Sequence, residues 1–256
     1  MGTHRLYRKA DSMTDPQTAA ALAAARLSLV EEGTRHLLHT VSGLKPEAVA
    51  EPSALPGWTR GHVLAHVARN ADSLVNLLDG ARTGTDIPQY ASSEARNQGI
   101  EDGAPRPVDV QLADLRTSDE RFVAAAALLP AEAWTADVRH RAGYVFPASD
   151  IPWKRLAEVE YHHVDLDAGY TPAHWPELFA VTEFRKLSAR LAGADLPAVE
   201  LIAEDTEDRG VIGTGTPSLT VEGPVRALLA WLSGRSDGDG LRRTPDAALP
   251  QLPPMG

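Results

Sequence analysis

The stretch Arg155-Leu156-Ala157-Glu158-Val159-Glu160-Tyr161-His162-His163-Val164-Asp165-Leu166 decides how this chain is read. It reads as one helix, with Leu156, Val159 and Leu166 marking the apolar side. Glu158 and His162 are four residues apart, so they lie one turn apart on a shared face. Both sit close enough to the apolar side to look into a helical core, where a carboxylate and an imidazole need partners. A divalent cation satisfies both at once; a surface ion pair is the ordinary alternative for this spacing. His163 points about 100° away from His162 and reads as an interhelix hydrogen bond or a solvated side chain. Asp165 reads either as a carboxylate that orients an imidazole or as the partner of a nearby arginine.

A second helix is announced much earlier, by Leu55-Pro56-Gly57-Trp58-Thr59-Arg60-Gly61-His62-Val63-Leu64-Ala65-His66-Val67-Ala68. Thr59 is a favourable N-cap. His62 and His66 share one face of this helix. Either one, added to Glu158 and His162, completes the His/Glu/His ligand set of a catalytic zinc with one open position. His62 is nearer the helix start, while His66 is followed by the apolar and small residues typical of an interior. Spacing alone leaves both open. Zinc is the default metal for two imidazoles and a carboxylate, although Fe(II) would use the same donors.

Working outward, the helical period recurs over Pro16–Val41, from Thr59 to about Asp79-Gly80, over Val108–Leu129 and over Ile151–Ala168. Ser92–Ile100 is predicted as a shorter helix inside a Gly-, Pro- and Ser-rich connection, and Trp134–Phe146 as extended or irregular. After Tyr170-Thr171-Pro172 the pattern changes. A helix is expected over His174–Leu191, short strands over Val199–Glu204, Gly210–Gly213 and Ser218–Val221, and a last helix over Val225–Ser233 behind Pro224. Gly213-Thr214-Gly215-Thr216 reads as a turn, with no following lysine to make it a phosphate cradle. The expected architecture is therefore α plus α+β: a four-helix bundle over residues 13–170, a small α+β domain over 171–240 and a loose tail over 241–256. Residues 1–12, including His4, read as an expression tag ahead of a start at Met13.

The 256 residues carry 35 acidic against 25 basic side chains, a formal charge of −10, which argues against a nucleic-acid surface. No apolar run approaches the roughly 20 residues needed to span a bilayer, and no signal peptide is visible, so a cytoplasmic location is expected. Cysteine is absent. The chain therefore has no thiolate of its own, and any thiol required for chemistry must arrive as a small molecule.

Together, Leu55-Pro56-Gly57-Trp58-Thr59 leading to His66, and Glu158-x-x-x-His162-His163-x-Asp165-Leu166 followed by Gly169-Tyr170-Thr171-Pro172, resemble the mycothiol-dependent maleylpyruvate isomerase family. The resemblance runs from about Pro16 to Arg235. It implies a helical bundle of the DinB type, with a small C-terminal domain and a metal triad of His66, Glu158 and His162. It also implies an active-site arginine near the end of the C-terminal domain. Arg235 is the candidate, with Arg226 on the same helix as the fallback. Arg96, in a segment similar to the family's loop at the pocket mouth, is a candidate thiol- or substrate-binding residue. Asp165 and His62 are expected behind the ligands.

The implied cofactors are zinc and mycothiol, and the implied partners are that small-molecule thiol and an electrophilic substrate. In the implied chemistry a thiolate adds to a cis alkene, rotation follows, and elimination leaves the trans alkene, with Arg235 clamping a substrate carboxylate. The same scaffold is similar to S-transferases that stop after addition. A non-catalytic binding protein on the same fold is the reading of a different class. The Ala-, Arg- and Gly-rich composition fits a high-GC actinobacterial source, where mycothiol is the usual thiol.

Overall fold

The computed structural model describes residues 15–254, so the expected tag and the start at Met13 lie outside the described residues. Among the described residues the fold is mostly helical with two small sheets. It divides into two compact units. One takes in the chain up to Pro52 together with Gly57–Val159; the other takes in Ser53–Pro56 and everything from Glu160 onward.

The first unit begins with α1, Pro16–Ser42, which opens where the Asp15 carboxylate accepts from the Thr18 amide at 3.1 Å and proline fills the first turn. Its buried face is Ala19, Ala23, Val30, Leu37 and Val41. α2 spans Arg60–Thr83, α3 Ser93–Gly103 and α4 Val108–Ala127. α2 packs against α3 and α4, and α1 packs against α4. Leu64, Leu74, Leu77 and Leu78 of α2 are at most 1% exposed. Full burial of each stabilises by roughly 2 kcal/mol relative to exposure. A two-stranded ribbon follows, β1 at Asp137–Arg139 pairing antiparallel with β2 at Val145–Pro147. This gives the segment expected to be extended or irregular its hairpin.

α2 runs past the expected stop at Gly80 for a packing reason. A Cβ on Gly80 would lie 2.8 Å from the Thr85 carbonyl oxygen, so glycine there admits a close approach of backbone and does not end the helix. The end comes at Gly84, whose φ of 69° gives the left-handed cap.

α5, Ile151–Asp165, carries the deciding stretch and passes unbroken from the first unit into the second. Leu156, Val159 and Leu166 are completely buried, as their spacing predicts. Arg155 is buried as well, at 0% exposure, and donates from Nη1 to the Val67 carbonyl at 2.8 Å and to Asn70 Oδ1 at 3.1 Å, tying α5 to α2.

In the second unit, α6 spans Glu177–Leu191, β3 Ala192–Ala203, β4 Arg209–Gly223 and α7 Val225–Leu232. The two short strands expected at Gly210–Gly213 and Ser218–Val221 are parts of the single long β4. Its register with β3 first descends, from Ile202↔Arg209 to Val199↔Ile212, and later ascends, from Val199↔Leu219 to Ala203↔Gly223. The reversal centres on Gly213 and Gly215, at φ 77° and 93°. A Cβ on Gly213 would stand 2.5 Å from the carbonyl oxygens of Leu196 and Pro197, so only glycine fits there. The tail expected to be loose contributes β5, Arg242–Thr244, antiparallel to β4. Arg242 holds it there, with Nη2 at 2.5 Å from Glu204 and 3.2 Å from Glu222.

Candidate metal centre

The cap of α2 decides between the two histidines of the second motif. Thr59 Oγ1 accepts from the His62 amide at 3.4 Å, and His62 Nδ1 accepts from the Thr59 amide at 3.2 Å. His62, expected behind the ligands, is instead spent on closing this capping box, with its Nε2 3.4 Å from Glu101. One turn further on, His66 is 5% exposed, and its Nε2 lies 3.0 Å from Glu158 Oε2. The Trp58 ring packs edge-on to His66 at 5.5 Å and also stacks beside His62 at 6.1 Å.

His162 follows Glu158 by one turn of the same helix, so α5 itself fixes their spacing. One donor atom from each of His66, Glu158 and His162 lies within 4.8 Å of the others. Two donors each about 2.1 Å from a shared zinc stand at most about 4.2 Å apart, so the cluster is at ligating geometry or within a small rotamer adjustment of it. Two imidazoles and a carboxylate, partly shielded by their own helices, are a donor set suited to a divalent cation.

Asp165 is 2% exposed and gathers the next layer. Its Oδ2 accepts from His162 Nδ1 at 2.9 Å and from Arg235 Nη2 at 2.7 Å, while Oδ1 accepts from Arg235 Nε at 3.1 Å. Burial pushes the Asp165 carboxyl up, but the His162 hydrogen bond and the Arg235 charge outweigh it and hold it below the usual carboxylate range. Arg235 also donates from Nη1 to the Ser233 carbonyl at 2.7 Å and lies over the Tyr161 ring at 4.6 Å. All three of its guanidinium nitrogens are thus engaged, whereas the expectation was a clamp on substrate. Burial pushes the Tyr161 hydroxyl far up, so it stays a neutral platform.

Arg96, on α3, places Nη2 3.4 Å from His66 Nδ1 and lies over the Tyr90 ring at 6.0 Å. Arg226 donates from Nε to the Trp175 carbonyl at 2.7 Å. His163 is 1% exposed and stacks on Tyr170 at 3.7 Å with 6° between the planes, so it is neither solvated nor grouped with the ligands. Arg155 was not anticipated from the sequence. Burial pulls its pKa down while the charges of Asp119 and Glu158 oppose that, and a guanidinium stays protonated under such conditions. Its signal was its position three residues before Glu158, on the side of the helix that Leu156 and Val159 mark as inward.

Fold and centre together define a class, a mostly helical protein with a small α/β unit and a His/Glu/His cluster able to hold a divalent cation. Residues 30–167, which include His66, Arg96, Glu158, His162 and Asp165, match the mycothiol maleylpyruvate isomerase N-terminal domain. The chain is also similar to the crystal structure of the mycothiol-dependent maleylpyruvate isomerase and to that of a histidine-to-alanine mutant of the same enzyme. Each match is at 31% identity with a TM-score of 0.85, over 91% of this chain and 97% of theirs. The chain belongs to the mycothiol maleylpyruvate isomerase family. No protein of curated function matches it. Among the described residues, no helix is long and apolar enough to cross a membrane.

Proposed function

We propose that this protein is a mycothiol-dependent cis–trans isomerase that converts maleylpyruvate to fumarylpyruvate at a divalent cation, zinc in the first instance, held by His66, Glu158 and His162. The observation that carries this reading is the convergence of those three donors within 4.8 Å in a chain of this family. In the same reading α1, α2, α4 and α5 are the four helices of a DinB-type bundle.

A cation bound there would supply Lewis acidity that brings a thiol into its open position as the thiolate. Mycothiol would supply the nucleophile that this cysteine-free chain lacks. Reversible thiol addition would turn the substrate double bond into a single bond about which rotation is possible, and elimination of the same thiol would restore the double bond. The protein's own contribution is positional. Asp165 accepts a hydrogen bond from the Nδ1–H of His162 and so keeps the proton on that nitrogen, which leaves the Nε2 lone pair for the cation. Arg235 holds Asp165 through two nitrogens, so its first role is to fix that carboxylate. Arg96, beside His66, is placed to meet negative charge that develops on the substrate.

The test measures bound metal and product together. The wild type is expected to carry about one divalent ion per chain and to form fumarylpyruvate only when mycothiol is present. His66→Ala and Glu158→Ala are expected to lose the ion and at least roughly 100-fold in rate. Wild-type protein with no more metal than the variants would end the reading. Accumulation of a thiol adduct without fumarylpyruvate would replace the isomerase by an S-transferase.

A further inference from the structure

On the far side of Arg96 from His66, the first unit contains a cavity of about 500 Å³ between the start of α3 and the loop joining β1 to β2. Arg96, Arg139 and Arg141 line it against a single carboxylate, Asp86. That is a local inversion of charge in a chain of net −10. The three guanidiniums are not equivalent. Arg139 is turned to Asp86 at 3.5 Å and to the Gly143 carbonyl at 3.3 Å. Arg96 is shared among Asn97, Tyr90 and His66. Arg141 is exposed and takes part in none of the ion pairs among the described residues. Its backbone is nonetheless fixed, because its amide donates to Oε1 of the buried Gln89 at 3.0 Å, whose Nε2 donates to Ser73 at 3.3 Å.

We propose that this cavity is a carboxylate subsite, in which Arg141 binds a carboxylate of the substrate and Arg96 joins the cavity to His66. The inference rests on the isomerase reading only for the identity of the substrate, a short oxo-dicarboxylate. Two features of the walls fit the same ligand. His140 accepts from the Ala142 amide through Nδ1 at 3.1 Å, which leaves Nε2 to carry the ring proton as a donor. Burial, with Lys154 and Arg141 nearby, lowers its pKa to about 4, so the ring is a neutral donor near pH 7. Ser92 caps α3, whose amino end adds a positive partial charge at the rim. A guanidinium with no internal partner forms a charge-assisted pair with an incoming carboxylate without first breaking another.

The experiment titrates maleate, and uncharged maleamide, into the metal-loaded protein by calorimetry without thiol, alongside maleylpyruvate kinetics with mycothiol. The wild type is expected to bind maleate and not maleamide. Arg141→Gln is expected to weaken maleate binding by about tenfold and to raise KM by a similar factor, with kcat within about twofold. Arg141→Lys should recover part of both. Arg141 is exposed, so an unchanged thermal midpoint shows that the fold is intact. Maleate affinity and KM unchanged in Arg141→Gln, or maleamide binding as tightly as maleate, overturns the subsite. Arg141-dependent maleate binding in a wild type that never isomerises maleylpyruvate would instead overturn the function and leave the subsite standing.

Discussion

Asp165 serves two cationic or proton-donating neighbours at once, and at the residue scale this makes it the most consequential side chain outside the triad. Asp165→Ala is expected to lower affinity for the divalent ion by about 10- to 100-fold, as is usual when the carboxylate behind a ligating imidazole is lost. Competition against a chelator measures it, and an unchanged dissociation constant would remove Asp165 from the site. At this scale the sequence showed part of the centre and hid part. Glu158 and His162 were legible because four residues along one helix is a short-range fact. His66 was not separable from His62 by spacing, because the distinction lies in a capping box that uses the His62 imidazole, while His66 turns to Glu158. Arg155 was hidden because a fully buried guanidinium depends on carbonyl and amide oxygens of another helix, 85 and 88 residues away in sequence. Arg235 shows the reverse case, since its neighbourhood was legible and its partners were not.

At the scale of the element, a strong apolar period marks the middle of a helix more firmly than its ends. The long helices α1, α2, α4 and α5 are announced by apolar stripes, whereas α3 is expected from the length of its connection, and Gly80 resembles a stop because its close approach to the Thr85 carbonyl depends on how the chain turns back after the helix. The strands suffered more. Pairing partners in β3 and β4 are set by a reversal at Gly213 and Gly215, and a Gly-Thr-Gly-Thr run looks like any other turn until the strands on either side are known to be one. β5 was missed because three residues with two arginines carry no alternation. The hairpin of β1 and β2 makes its own prediction through His140. Its folded pKa of about 4 lies below the unfolded 6.5, so the unfolded chain binds the extra proton between those values. Stability is therefore lost as pH falls from about 6.5 to about 4 and is complete above that window. His140→Gln should flatten this slope by on the order of 1 kcal/mol, allowing for the partial exposure of the ring. Thermal midpoints at pH 7 and pH 4.5 that differ equally in wild type and variant would contradict it.

At the scale of the whole molecule, a family likeness at 31% identity over 91% of the chain, a surplus of acid and the absence of cysteine set the terms on which any guest is received. The carboxylates around the triad are already answered from within. Glu158 feels the sealed charge of Arg155, and Asp165 is paired with Arg235. A doubly charged visitor thus enters an environment whose own charges nearly cancel, and it keeps most of its electrostatic appetite. Its natural companion is an anion from outside, so ion and thiolate should hold each other in place. Equilibrium dialysis against a fixed chelator is expected to retain several-fold more metal with mycothiol present than without it, and the reciprocal gain should be found for mycothiol when metal is added. Equal retention in both arms would mean that the ion is satisfied by the protein alone.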